Sequence, residues 1–259
     1  MLNYQEEGGC NKMEEKNYLQ WLASETPTKW WHDSANPDEI EQGIQNGALG
    51  VTTNPVLTYK TLQAHPEIWN PLIKDIPEDL NFEERAEALL KVIATYAAKM
   101  VEPIYQKTNG EHGYALGQLN PSNAGNAKKM MEMARRVRSW APNVAIKLPT
   151  TKAGLEVIEE IASEGFPICA TINLSVSQAI SVAESYRKGM RKAIKAGIKP
   201  APCFAVQQVG RIDDYLRDVA MDTGADVEES DIIQAGLAIA KRSYAIFKER
   251  GYEAIIMPA

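Results

Sequence analysis

The stretch NVAIKLPTTKAGLEVIEEIASEGFPICATINLS (143–175) decides the fold, because it reads as a strand, a helix and a second strand. NVAIKLPT and PICATINLS are of strand length and nearly continuously apolar, as strands covered on both faces should be. Between them, Lys152 to Glu164 carries apolar residues at helical spacing, and Gly165 stands where that helix should stop. Two strands joined by a crossover helix run parallel.

The same alternation extends in both directions. Short apolar runs occur at KWWHDSA (29–35), ALGVTTNP (48–55), GYALGQLNP (113–121), APCFAVQQVG (201–210) and YEAIIMPA (252–259), most ending in Asn, Pro, Ser or Thr. Helical periods lie between them. Asn36-Pro37 opens PDEIEQGIQNG, with proline in a tolerated first-turn position and acids near the positive end of the dipole. Phe82 to Gln106, Asn126 to Trp140, Gln178 to Ala196 and Asp231 to Lys248 follow, with Gly197 and Gly251 as further stops. Seven strand candidates alternating with helices predict a TIM-type (β/α)8 barrel over residues 29–259, with a flavodoxin-like open sheet as the second choice. No GxGxxG follows a strand and no GxxxxGK[ST] occurs, so neither a dinucleotide fold nor a P-loop is supported. Residues 1–28 read as an N-terminal extension, polar at first and then amphipathic around Tyr18, Leu19, Trp21 and Leu22.

Composition narrows the class. The 259 residues are 44% hydrophobic and 24% charged, which is globular rather than disordered. A formal net charge of −6 argues against nucleic acid as a partner, and no apolar run reaches the roughly 18 residues of a membrane span. The first fifteen residues lack the apolar core and basic start of a signal peptide. Three scattered cysteines, Cys10, Cys169 and Cys203, imply no disulfide framework and fit a reducing, cytoplasmic setting. Neither these cysteines nor His32, His65 and His112 have metal-ligand spacing. The basic run RKGMRKAIKAGIK (187–199) reads as a solvated helix face, and the sequon Asn173-Leu174-Ser175 as chance.

In parallel α/β sheets the site lies at the carboxyl ends of the strands. Asp33, Thr52, Thr53, Asn54, Gln118, Asn120, Lys147, Thr171, Asn173 and Ser175 all fall in or at the end of a strand candidate. Lys147 is the sharpest of them. It alternates with Val144, Ile146 and Leu148, so it shares a face with Ala145 where both faces should be dry. A lone strand lysine is ordinarily ion-paired or surface-reaching, but inside a barrel it has few structural uses. One chemical use is as an amine nucleophile. An unperturbed lysine is neutral in only about one part in 2,500 at pH 7, so a Schiff-base lysine needs a desolvated setting. Asp33 is available to shuttle protons, with a turn or helix-cap role as its bland alternative. His32, next to it, points to the opposite face.

These residues coincide with a known family. GVTTNPVL (50–57), preceded by WHDSANPDEIEQGI, resembles the opening of the transaldolases, and AIKLPTTKAGLEVIEEIASEGFPICATINLSVSQA (145–179) resembles their lysine strand, following helix and next strand. VGRIDDYLRD (209–218) and KERGYEAIIMPA (248–259) are similar to later segments, so the resemblance covers residues 29 to 259. It implies a Schiff-base (β/α)8 barrel that needs neither cofactor nor metal. The implied reaction moves a dihydroxyacetone unit from a ketose phosphate, sedoheptulose 7-phosphate or fructose 6-phosphate, to an aldose phosphate in the pentose phosphate pathway. Lys147 would form the Schiff base and Asp33 would transfer protons. Thr52 and Asn54 would contact the donor's hydroxyls, Thr171 would help hold the catalytic water, and Arg211 would bind phosphate.

Departures from the family pattern accompany the match. Gln118 stands where transaldolases place a glutamate, and a glutamine there is similar to the fructose-6-phosphate aldolases, which cleave rather than transfer. Cys169 replaces a fifth-strand asparagine, and Val206, Gln207 and Gln208 replace Ser-Pro-Phe. The aldolases carry a tyrosine where Gln208 stands. In the family the strand resembling YEAIIMPA runs on into further phosphate ligands and an eighth strand, so a barrel built from these residues is expected to stay open. A lyase, and an inactive or partner-dependent fragment, are therefore the alternatives, and a homo-oligomer completing the open edge is an expected partner arrangement.

Overall fold

A computed structural model describes residues 16–259. Within them seven strands, β1 (His32–Asp33), β2 (Val51–Thr52), β3 (Ala115–Gln118), β4 (Val144–Pro149), β5 (Ile168–Asn173), β6 (Cys203–Gln207) and β7 (Ile255–Pro258), alternate with ten α-helices. The helices are α1 (Tyr18–Glu25), α2 (Pro37–Gln45), α3 (Pro55–Ala64), α4 (Pro66–Ile73), α5 (Phe82–Lys107), α6 (Ala127–Arg138), α7 (Lys152–Ser163), α8 (Val176–Lys195), α9 (Val209–Thr223) and α10 (Glu229–Glu249).

Every strand pair is parallel and follows chain order. β1 pairs with β2, and β3 through β7 form a continuous run. The two parts are joined where Val51 N donates to Tyr114 O at 2.9 Å and Gly113 N donates to Leu49 O at 2.8 Å. The sheet curls on itself: Trp31, just before β1, packs edge-on against Phe204 of β6, ring centres 4.6 Å apart. That contact across the interior selects the barrel over the flat flavodoxin-like alternative. The barrel is not closed, since among the described residues β1 pairs only with β2 and β7 only with β6.

Two apolar layers follow from strand alternation. Val144, Ile146 and Leu148 face outward and pack with Val137, Ile158, Ile161 and Val182 from the surrounding helices. Ala145, Leu116, Cys169, Phe204, Val206 and Tyr114 face inward, with Trp31 and Tyr105 against them. The interior is thus a packed core rather than a pore. α6 lies directly on β3, because a Cβ on Gly117 would sit 2.4 Å from Val137 Cγ1.

All seven expected strands are present, but the first two shrink to two residues each. Most of the remaining residues in 29–35 and 48–55 are irregular backbone, with Asn54 as the N-cap of α3. Gly165, Gly197 and Gly251 lie just past α7, α8 and α10 with φ of 73°, 73° and 57°, the left-handed stop expected of them. Three helices were not legible in the periodicity. α3 exposes Val56 and Tyr59, α4 carries Pro71 inside it, and α9 buries only Ile212. α1 forms within the expected extension, tied to the barrel by Asn17 Nδ2 donating to Asn46 Oδ1 at 2.7 Å. The amino-terminal part of that extension, Cys10 included, lies outside the described residues. No helix among the described residues is long and apolar enough to cross a membrane.

Candidate active site

Parallel order brings the carboxyl ends of all seven strands to one mouth. Register then sets the neighbours. Asp33 lies opposite Thr52, Gln118 opposite Lys147, Lys147 opposite Cys169, and Pro149 opposite Thr171. Cys169 belongs to the inner layer, so Lys147 beside it and Thr171 two residues on share the interior face.

Lys147 is half-buried, and its Nζ donates to Thr53 O at 3.3 Å. None of the ion pairs among the described residues engages it. The Thr53 hydroxyl is turned away and donates to Leu116 O at 2.6 Å, which pins β2 to β3 and aims the Thr53 carbonyl at the lysine. Thr53 was visible in the sequence as a strand-end polar residue. Its role was not, because the contact to Lys147 comes from the backbone.

Asp33 is exposed at the mouth and accepts a hydrogen bond from Thr52 Oγ1. Its bland alternative as a helix cap falls to another residue. Asn36 Oδ1 caps α2 by accepting from Asp38 N at 3.0 Å. His32 points away from the interior, with its ring against α2 where a Cβ on Gly43 would lie 2.8 Å from His32 Cγ. Gln118 is half-buried on the interior face next to Lys147. Thr171 is buried, at 6% exposure, one step above Cys169.

Other strand-end polar residues carry the fold. Asn54 is the N-cap of α3, its Oδ1 accepting from Leu57 N at 3.0 Å. Asn120 caps the 3-10 turn Pro121–Asn123, and Ser175 forms a capping box with Gln178 at the start of α8. Arg211 is exposed in the first turn of α9, directly after β6. An anion there would meet both a guanidinium and a helix N-terminus. Cys169 is fully buried, and burial pushes its thiol up to about 11 while the neighbouring Lys147 ammonium pulls the other way. It therefore stays a neutral thiol at pH 7 and supplies the lysine with an apolar neighbour.

A family profile described as Transaldolase/Fructose-6-phosphate aldolase matches residues 30–259. The chain belongs to the transaldolase and fructose-6-phosphate aldolase family. Among curated relatives, a protein named Transaldolase from Thiobacillus denitrificans is 26% identical over 229 residues, 85% of this chain and 64% of its own length. Transaldolase 1 of Streptomyces avermitilis is 27% identical over 230 residues, covering 85% of this chain and 61% of the relative. A Transaldolase from Mycobacterium ulcerans is 27% identical over 235 residues, with 85% and 61% coverage. The chain thus spans just under two thirds of the length of these transaldolases.

Proposed function

We propose that residues 29–259 carry the Schiff-base centre of a transaldolase, with Lys147 as the nucleophile. The observation that carries this reading is the placement of Lys147 on the interior face of β4, one strand from Gln118 and beside buried Cys169. An interior lysine without a carboxylate partner among the described residues has little structural use and the right surroundings for amine chemistry.

In this reading the neutral Lys147 amine attacks C2 of a ketose phosphate, sedoheptulose 7-phosphate or fructose 6-phosphate. The carbinolamine loses water to give an iminium ion. Asp33, oriented by the Thr52 hydroxyl, takes the C4 hydroxyl proton as the C3–C4 bond breaks, and the bond's electron pair moves into the iminium to form an enamine. An aldose phosphate leaves. The enamine then attacks the carbonyl of a second aldose phosphate, Asp33 returns its proton to the new hydroxyl, and water hydrolyses the imine. Thr171 and Gln118 hold the water. Glutamine orients water by hydrogen bonds but takes no proton, so proton traffic falls to Asp33. Thr52 and Asn54 meet donor hydroxyls, and Arg211 holds phosphate. In this reading the reaction is a step of the pentose phosphate pathway in the cytoplasm and uses no cofactor.

Gln118 favours a second reading, a fructose-6-phosphate-type lyase that releases free dihydroxyacetone. Turnover that requires an added aldose phosphate separates the transferase from the lyase. The first test is borohydride reduction with fructose 6-phosphate followed by peptide mass mapping. The expected result is one reduced adduct, on Lys147, absent in Lys147→Ala. An adduct on another lysine, or none from folded protein, would overturn the reading.

A further inference from the structure

The fifth strand ends in a feature that the proposed chemistry does not use. Ile172 has φ 63°, in the left-handed region, although it is β-branched and half exposed at the mouth. Such a residue is strained there, and strain of this kind persists only where its surroundings over-determine it. The β5–β6 register breaks at the same point, between Ala170 and Asn173.

Asn173 supplies the over-determination. It is fully buried, and its Nδ2 donates to Ala170 O at 2.9 Å and to Val206 O at 2.7 Å. One amide thus uses both hydrogens, one on its own strand and one on β6. The backbone oxygen of Asn173 accepts from Gln208 N at 3.0 Å, tying the same residue to the start of α9. From the other side, the Gln178 carboxamide accepts from Leu174 N at 2.9 Å and donates to Ile172 O at 3.4 Å. An aspartate could not replace Asn173, because both contacts need N–H donors.

We propose that Asn173 is a positioning residue: its carboxamide clamps the left-handed turn at Ile172 and so fixes Thr171 on the interior face, one step above the Lys147–Cys169 pair. The catalytic half of this inference rests on the proposed Schiff-base reading. The clamp itself does not.

The test is a double-mutant cycle on the whole chain with Asn173→Ala, Ile172→Gly and both together, with Asn173→Asp as a further variant. Glycine adopts the left-handed conformation without a clamp. Asn173→Ala should therefore lower Tm by about 4 °C, with about half of that loss absent when glycine occupies 172. Asn173→Asp should behave like Asn173→Ala. In steady-state kinetics Asn173→Ala should lower kcat about tenfold with KM within about twofold, and the double variant should recover to within about threefold of wild type. A merely structural role would not give a kcat loss rescued at Ile172. Strictly additive Tm changes would overturn the clamp. Coupled Tm changes with unchanged kcat would overturn the positioning role. If wild type forms no borohydride adduct on Lys147, the functional reading fails and the catalytic half with it, while the stability cycle still decides the clamp.

Discussion

Lys147 and Asp33 meet opposite demands. The lysine is half-buried beside an apolar thiol, whereas the aspartate lies exposed at the mouth with a threonine hydroxyl on its carboxylate. In the proposed reaction that division would separate imine formation, which needs the amine, from C–C cleavage, which needs the base. Asp33→Asn should therefore lower kcat by about 10²–10⁴-fold, the usual loss on removing a general base. It should leave the borohydride adduct on Lys147 intact, as mass mapping would show. Loss of the adduct as well would mean that Asp33 acts earlier, on the carbinolamine. The lysine was legible from alternation alone, because an ammonium in VAIKLP contradicts its surroundings. The Thr53 carbonyl that meets it was not legible, since every residue carries one.

At the scale of elements, close backbone approach does much of the positioning. α7 and α8 touch through Gly189, where a Cβ would fall 2.1 Å from Glu159 O and 2.7 Å from Ala162 Cβ. Gly189→Ala should destabilise the chain by about 1–3 kcal/mol through overpacking, read as a lower urea midpoint with unchanged slope. Gly125, which has nothing within 4 Å, is the matched control, and Gly125→Ala should leave the midpoint nearly unmoved. The helices read from periodicity, such as α5, α7 and α8, bury a regular stripe. α3, α4 and α9 bury two, one and one residues, so their sequences carry caps and charges but little stripe.

For the whole molecule, the open barrel and one half-buried imidazole are expected to govern the solution behaviour. β7 leaves one edge unpaired among the described residues and exposes Ile255 at 44%. Such an edge templates strand pairing, so the chain is expected to self-associate in sedimentation velocity, and Ile255→Lys should shift it toward monomer. Monomer in both forms would show that the edge is protected. Burial holds the His112 imidazole below its ordinary 6.5, opposed by Glu111 and reinforced by Lys29. Its Nδ1 is buried without a hydrogen-bond partner. The unfolded chain therefore binds this proton more readily than the folded one. Stability is retained above about pH 6.5 and falls as the pH drops through the lower folded-state value. The urea midpoint should fall between pH 7 and 5, and His112→Gln should flatten that slope.

By itself the sequence determined the strand–helix alternation, the parallel order, the helix stops and the interior lysine. Each of these is a local rule: a period, a cap, or a polar residue where an apolar one belongs. Only the tertiary structure decided the rest. It curled the sheet until Trp31 met Phe204 and placed the Thr53 carbonyl on Lys147. It also turned Asn173 from a strand-end polar residue into the clamp on a strained isoleucine. These depend on groups that arrive from far along the chain, Val206 beside Asn173, Thr53 beside Lys147 and Phe204 beside Trp31, and no short-range pattern in the chain records that.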